Sequence, residues 1–219
     1  MYPLFKRLFD IGLTLTSLVV LSPVIIVIAV LIKITDSGPV FYRGVRVGRG
    51  NRPFIMLKFR TMVANADKIG VSSTALDDPR ITSIGRFLRR YKLDELPQLF
   101  NVLVGEMSFV GPRPEIQKFV DLFTEEESAI LSVPPGITDW ASLWNSDEGA
   151  ILAGSPDPDR DYLVKIRPIK IRFQLEYVKK RSFLVDMGIL IRTGIAVLSK
   201  SKAPALADIE RDSQDVTNS

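Results

Sequence analysis

Apolar and polar positions divide the chain into one long unbroken run, one alternating stretch and several shorter periodic segments. Residues 11–32 (IGLTLTSLVVLSPVIIVIAVLI) are 22 positions without a charge. Wound as a helix at about 1.5 Å per residue, the run reaches about 33 Å, enough to cross hydrocarbon. Uncharged runs of this length mark membrane segments rather than core helices. Ser22-Pro23 stands at the centre of the run. The proline removes a backbone donor and bends the helix, and the serine hydroxyl suits the freed carbonyl. Two topologies stay open: a kinked helix that spans, or one that turns back and leaves by the side it entered. Lys6 and Arg7 precede the run, and Lys33, Arg43, Arg46 and Arg49 follow it. Cations at both ends fit two cytoplasmic ends.

Residues 40–62 predict a β-hairpin. VFYRGVRV alternates apolar with polar residues, GRGNRP is a turn cluster, and FIMLKFRTM resumes the extended pattern. A polar connection with a short helix follows over 65–79. Residues 81–91 predict a helix, with Ile84, Phe87, Leu88 and Tyr91 as an i, i+3, i+4, i+7 stripe and Arg86, Arg89 and Arg90 off it. Asp94 then reads as the N-cap of a helix that tolerates Pro97 in its first turn and stops at Gly105. VGPRP at 110–114 is a rigid turn presenting Arg113. TEEE at 124–127 is a capping box opening a helix. VPPGI at 133–137 breaks the chain again, ahead of a polar loop with Trp140 and Trp144 and a Pro/Asp turn over 155–161. Residues 169–178 (IKIRFQLEYV) alternate as a strand does, yet are good helix formers. Residues 183–198 suit a core helix or one lying in a membrane interface. From 203 the chain is polar, and disorder is expected.

Composition narrows the chemistry. The 219 residues include no His and no Cys, which excludes an imidazole base, a His-containing triad, a disulfide framework and a Cys/His zinc site. Residues 1–110 carry 15 Lys and Arg against 8 Asp and Glu, a net +7, while 111–219 carry 14 against 17, a net −3. The basic half asks for an anionic partner. From 37 to 66 there is no acid, only Arg43, Arg46, Arg49, Arg52, Lys58 and Arg60. Arg49 and Arg52 at the turn read as solvated. Lys58 and Arg60, among apolar neighbours, read as inward-facing anion ligands.

The candidate centre is Asp94-Glu95 with Lys58, Arg60, Arg89, Arg90 and Arg113. A carboxylate at a helix start is held ionised by the dipole and free N–H groups, and the same terminus accepts phosphate. Arginine forks bind phosphate oxygens, and Mg²⁺ suits one or two carboxylates plus substrate phosphates. Taken singly, Asp94 reads first as a cap, Glu95 as a solvated acid and Arg113 as a surface ion pair. Two functions fit: phosphoryl transfer, or a non-catalytic monotopic protein that binds anionic lipid. No helix-turn-helix, RNA-binding or zinc signature is present, so nucleic acid is not an expected partner.

KRLFDIG, the LSP break, GPVFYRGVRVGRGNRPFIMLKFRTM, DDPRITSIGRFLRRYKLDELPQLFNVLVGEMSFVGPRP and PGIT together cover most of 6–138. In these stretches the chain resembles the small monotopic phosphoglycosyl transferases of the bacterial sugar transferase family. The resemblance implies transfer of a sugar-1-phosphate from a UDP-sugar to polyprenyl (undecaprenyl) phosphate, releasing UMP, with Mg²⁺. It implies Asp94 as nucleophile and Glu95 as its dyad partner, either one a metal ligand. Lys58, Arg60, Arg89, Arg113, Pro112 and Pro114 become phosphate or nucleotide contacts. Ser22 and Pro23 become the break that makes the helix re-entrant. The implied fold is α+β and mostly helical: a re-entrant membrane helix (1–36), then a cytoplasmic catalytic domain (37–202) with one β-hairpin and amphipathic interfacial helices, then a disordered tail (203–219). The implied location is the cytoplasmic face of the bacterial inner membrane, in contact with its lipid, with a homodimer left open. PGITDWASLWNSDEG departs from the family's PGITG-x-AQV, and its D-x-x-Y-V pattern is displaced around Glu176-Tyr177. Sugar specificity therefore does not carry over.

Overall fold

The computed structural model describes residues 2–35, 37–66, 73–145 and 147–199. Helix α1 (Tyr2–Thr35) is 34 residues long and winds on through Pro23. Pro23 has no N–H for the Val19 carbonyl, and the Ser22 hydroxyl donates to that carbonyl at 2.9 Å instead. Among the described residues α1 is the one helix long and apolar enough to cross a membrane.

Both ends of α1 rest on the same body. At its start, Lys6 donates to Asp186 at 2.6 Å and Tyr2 to the same carboxylate at 2.8 Å. The Arg7 guanidinium takes the Val102 and Leu103 carbonyls. At its end, Ile28 and Ile32 are buried against Phe59 and Leu88. Between these anchors Val19, Val20, Ile26 and Val27 are exposed.

The expected hairpin forms from β1 (Phe41–Val47) and β2 (Pro53–Phe59), antiparallel, with Tyr42 opposite Lys58 and Arg46 opposite Phe54. The turn holds Gly50 at φ 68° and Asn51 at φ 60°, conformations that Gly and Asn adopt at least cost. Helix α2 (Ser83–Arg90) starts at Thr82, whose hydroxyl accepts the Gly85 N–H, and buries Leu88 of the expected stripe. Of the 65–79 connection, residues 67–72 lie outside the described residues, as does the tail expected to be disordered.

Asp94 does not cap the next helix. It lies in a 3-10 turn, Leu93–Glu95, ahead of α3 (Gln98–Val104), whose N-cap is Pro97. Pro97 cannot donate to the Leu93 carbonyl four residues back. Leu96 N–H takes it instead, which tightens the turn.

A second, parallel pair of three-residue strands accompanies the hairpin: β3 (Ser108–Val110) and β4 (Gly136–Thr138). Strands this short carry no readable alternation. After β3 comes α4 (Gln117–Val120). The capping box forms reciprocally: Thr124 N–H donates to Glu127 Oε2 at 2.9 Å, and Glu127 N–H to Thr124 Oγ1 at 3.2 Å. The helix it opens, Glu127–Ser132, is 3-10. The expected polar loops wind into α5 (Trp140–Trp144), α6 (Glu148–Ile151) and α7 (Pro158–Asp161), each capped by an aspartate.

The ambiguous 169–178 stretch is helical, within α8 (Arg167–Lys180), and is followed by α9 (Phe183–Ser199). In α8 the buried positions are Lys170, Ile171, Phe173, Gln174 and Tyr177, a helical face. The main core joins α5, α8, α9 and β3 through Val110, Trp140, Leu143, Phe173, Tyr177, Val185 and Ile189. Helix α9 is core on that side and leaves Leu184, Ile191 and Ile195 exposed on the other. Helix α3 likewise exposes Phe100 and Val104 while burying Leu99 and Val102, so the expectation of amphipathic helices holds.

Candidate active site

Four segments converge on the acidic pair: β2 with Lys58, α2 with Arg89, the 3-10 turn with Asp94 and Glu95, and the VGPRP turn with Arg113. Asn101 sets the register between two of them. Its Oδ1 accepts the Leu57 N–H at 3.0 Å, and its Nδ2 donates to the Ile55 carbonyl at 2.7 Å and to Glu106. Helix α3 is thereby locked along β2, and Glu95, six residues before Asn101, comes to Lys58. Lys92 at φ 56° reverses the chain between α2 and the acidic turn.

The VGPRP turn is held from every side. Gly111 N–H donates to Thr138 O, and Gly136 N–H to Pro112 O, both at 3.0 Å. The backbones cross so closely that a Cβ on Gly136 would lie 2.1 Å from Gly111 N, so only glycine fits. Arg113 N–H donates to Asp139 Oδ2 at 3.2 Å, and its carbonyl accepts Gln174 Nε2 at 3.2 Å. Asp139, wholly buried, also accepts the Ser142 N–H and hydroxyl at 2.7 Å each. Pro112 and Pro114 stiffen this clamp and line a shallow cavity behind it with Val47, Phe123, Val133 and Gln174.

The two carboxylates are not equivalent. Glu95 accepts Lys58 Nζ at 2.9 Å, Arg113 Nη1 at 3.0 Å and Arg113 Nη2 as well. Burial would raise the Glu95 carboxyl, but the Arg113 and Lys58 charges outweigh it and hold Glu95 well below the usual carboxylate range. Arg113 is pushed above the ordinary arginine value: burial opposes its charge, and Glu95 more than restores it. Burial pulls Lys58 below the ordinary lysine value against the pull of Glu95. Asp94 is 6% exposed. It forms no hydrogen bond or ion pair among the described residues. Burial raises its carboxyl above the ordinary aspartate value, partly countered by Lys58, and Glu95 adds to the rise. This corrects the expectation that a helix dipole holds Asp94 ionised. A single 3-10 turn supplies little dipole, and desolvation decides the direction.

Arg89 donates Nε to Thr61 Oγ1 at 2.9 Å, and Asp94 is foremost among the charges favouring its ionised form against burial. Arg90 is exposed. Arg60 lies elsewhere: its guanidinium sits against Gly38, beside Ile32, Thr35, Thr82 and Ile84 at the end of α1. Among the described residues no group of three or more acidic side chains forms a metal cage. Asp94 and Glu95 are instead hard oxygen donors of the kind that share Mg²⁺ with substrate phosphates.

The family model described as bacterial sugar transferase matches residues 1–200. The chain belongs to that family. Within it, the chain is 37% identical over 201 residues to a UDP-N-acetylgalactosamine-undecaprenyl-phosphate N-acetylgalactosaminephosphotransferase of Aeromonas hydrophila, covering 90% of this chain and 44% of that protein. It is 33% identical over 207 residues to an exopolysaccharide production protein of Sinorhizobium fredii, covering 88% and 84%. It is 38% identical over 194 residues to a UDP-glucose:undecaprenyl-phosphate glucose-1-phosphate transferase of Escherichia coli, covering 87% and 39%. The chain thus spans less than half the length of the first and third of these relatives, and most of the second.

Sequence reasoning missed several buried polar residues that support this centre or lie beside it. Asp139 and Gln174 hold Arg113 but sit in stretches whose role was unreadable. Lys170, buried on α8, pairs with Glu115 at 2.6 Å and Glu148 at 3.1 Å. Alternation made Lys170 look like an outward residue of a strand. The one available signal was the departure from the family pattern at PGITD, which is where Asp139 stands.

Proposed function

We propose that this sugar transferase moves a sugar-1-phosphate from a UDP-sugar to polyprenyl phosphate, with Asp94 as nucleophile. The carrying observation is the asymmetry of the dyad. Glu95 is fixed by three bonds to two cations, while Asp94 beside it is desolvated and unengaged. A carboxylate whose proton affinity is raised by burial is the stronger nucleophile once ionised. Its oxygen attacks the sugar-linked phosphorus, the bond from that phosphorus to the bridging oxygen breaks, and UMP leaves with the electron pair. Polyprenyl phosphate then attacks the same phosphorus and returns Asp94 as a carboxylate. Two steps let one anion leave before the next arrives. Arg113, Lys58 and Arg89 stabilise the crowded negative charge. The activities of the relatives, named as transferases acting on undecaprenyl phosphate, support the same reaction.

Mg²⁺ shared between Asp94 or Glu95 and diphosphate oxygens would supply further charge neutralisation. Full turnover after exhaustive chelation would remove it from the scheme. Helix α1 is read as re-entrant, with both ends on the cytoplasmic face of the inner membrane, because both ends dock on one body. The chain has no cysteine, so one placed at Tyr2 is a clean probe. Its labelling in intact cells by an impermeant thiol reagent would mean that α1 spans.

The deciding experiment is intact-protein mass after mixing with UDP-sugar and Mg²⁺ without acceptor. A sugar-phosphate adduct is expected on the wild type, with UMP released, and none on Asp94→Asn. Release of UMP only when polyprenyl phosphate is present, with no adduct on rapid quench, would mean direct displacement. No release from any UDP-sugar would leave the lipid-binding function.

A further inference from the structure

Lys58 and Arg113 are both engaged by Glu95, and Arg89 is held by Thr61. Beyond these and Lys92, which adds its charge at Asp94, the hairpin contributes a cation on the same side. On β1, Tyr42, Gly44 and Arg46 alternate onto one face, opposite Lys58, Met56 and Phe54 of β2. Lys58 points to Glu95 from that face, and Met56 and Phe54 pack against Val102 and Met107. Arg46 therefore belongs to the active-site side of the hairpin, not to its solvent side. Its Nη1 donates to the Val45 carbonyl at 2.8 Å, and it makes no ion pair with a carboxylate among the described residues.

Gly44 shows how the face is built. A Cβ there would lie 2.8 Å from the Tyr42 ring edge and 3.3 Å from Arg46 Nη1. The tyrosine ring and the guanidinium draw together over the strand, and a glycine lets them approach without either side chain having to shift. Tyr42 stays 39% exposed and Arg46 half-buried, so both remain reachable. Burial pulls Arg46 below the ordinary arginine value; Tyr42 and Glu115 offset this, and Arg113 opposes the charge further. A partly desolvated guanidinium that feels the repulsion of a second guanidinium gains from an anion placed beside it.

We propose that Arg46 and Tyr42, aligned over Gly44, form a second phosphate subsite beside the Glu95–Arg113 centre. The ligand is a phosphate monoester, taken by a planar fork and a phenol hydroxyl. The inference rests on the proposed transfer reaction, which has two such groups: the head of the arriving polyprenyl phosphate and the phosphate of the departing UMP. A solvated basic hairpin would instead treat Arg46 like Arg49 and Arg52 at the exposed turn.

The test uses the full chain in detergent with Arg46→Gln, Arg46→Lys, Tyr42→Phe and, as a charge control on the same hairpin, Arg52→Gln. KM for UDP-sugar, KM for polyprenyl phosphate and inhibition by UMP are measured beside the melting temperature. Arg46→Gln is expected to weaken one of these phosphate ligands about tenfold or more without loss of the folded state. Arg46→Lys should recover part of that, and Arg52→Gln should match the wild type. A rise in acceptor KM alone assigns the subsite to the lipid phosphate. A rise in UDP-sugar KM with weaker UMP inhibition assigns it to the nucleotide. Values within twofold of wild type for Arg46→Gln, or an equal loss in Arg52→Gln, would overturn the proposal. Should Arg46→Gln not fold, Tyr42→Phe keeps the ring and removes only the hydroxyl, and an unchanged profile there overturns it equally. Calorimetric titration with UMP and with inorganic phosphate needs no turnover. It decides the subsite even if the wild type releases UMP from no UDP-sugar, a result that would sink the transfer reaction itself.

Discussion

Two buried ionic centres lie on either side of the VGPRP turn, and they are charge inverses. In one, the Glu95 carboxylate sits between the Lys58 and Arg113 cations. In the other, the Lys170 ammonium sits between Glu115 and Glu148, with the Tyr162 hydroxyl 3.4 Å away. Arg113 and Glu115 are two residues apart and each is ion-paired within one centre, although the Glu148 charge also favours ionised Arg113. The Lys170 centre is closed: the two acids keep its ammonium far above the ordinary lysine value despite burial, and Tyr162 donates its proton to Glu115 at 2.5 Å. The Glu95 centre is open, with an unengaged Asp94 and with Arg46 and Arg89 outside any carboxylate ion pair among the described residues. Closed charge balance holds a fold together, and unbalanced charge marks where a substrate completes the set.

The sharpest way to break this contrast is at Arg113. Arg113→Lys keeps the charge but loses the fork that meets both Glu95 oxygens. Adduct formation is expected to slow by about 10²-fold or more, the scale for a charge-stabilising donor. Arg113→Ala should add a stability loss of about 3 kcal/mol, because a buried pair is broken rather than removed. Single-turnover UMP release and denaturant melts read the two effects separately. If both variants lose stability but release UMP at wild-type rates, the Glu95 centre is structural too, and the contrast fails.

Lys170→Met makes the opposite demand. It leaves Glu115, 11% exposed, without its cation, while Glu148 at 38% exposed is partly solvated, so a loss of about 2–3 kcal/mol is expected, most of it from Glu115. UMP release per folded molecule should stay within a few-fold of wild type. Glu115→Gln and Glu148→Gln added to Lys170→Met should recover part of the loss, since the uncompensated charge goes with them. A fall in rate much larger than the fall in folded fraction would show that Lys170 acts on the substrate.

What the chain disclosed in advance follows from the same distinction. The hairpin was legible because period-two alternation and a Gly-Asn turn are local signals, and α2 because its stripe is local. Lys58 was readable as inward-facing because a cation among apolar neighbours is unusual, whereas Glu95 and Arg113, singly a solvated acid and a surface ion pair, stood out only as members of a set. Arg60 had the same local signature as Lys58, yet it turns to Gly38, and nothing in its neighbours told the two apart. The 169–178 stretch misled because Lys170 and Gln174 are polar yet buried. Their partners, Glu115, Glu148, Asp139 and the Arg113 carbonyl, come from 22 to 61 residues away. Raised proton affinity at Asp94 was invisible for the same reason, since burial is a property of the whole fold.

The smallest effect is expected at Tyr162, and it tests whether the two centres are separate. Tyr162→Phe removes the hydroxyl that donates to Glu115 but keeps the ring, which stacks on Phe119 with centroids 4.6 Å apart. Glu115 retains Lys170 at 2.6 Å, so the carboxylate is not stranded. The cost should be about 1–1.5 kcal/mol, the ordinary net value of one hydrogen bond. The Glu115 backbone carbonyl also accepts the Val47 N–H at 2.9 Å, at the end of the strand that carries Arg46. Any looseness in Glu115 therefore has a direct route to the hairpin as well as to Arg113. If the centres divide the work as their charges suggest, the backbone bonds hold, and KM for UDP-sugar and for polyprenyl phosphate stays unchanged while the melting temperature drops slightly. A shifted KM at unchanged rate of adduct formation would mean that the Lys170 centre tunes substrate binding through the two-residue step from Glu115 to Arg113. The closed centre would then belong to the site it was set against.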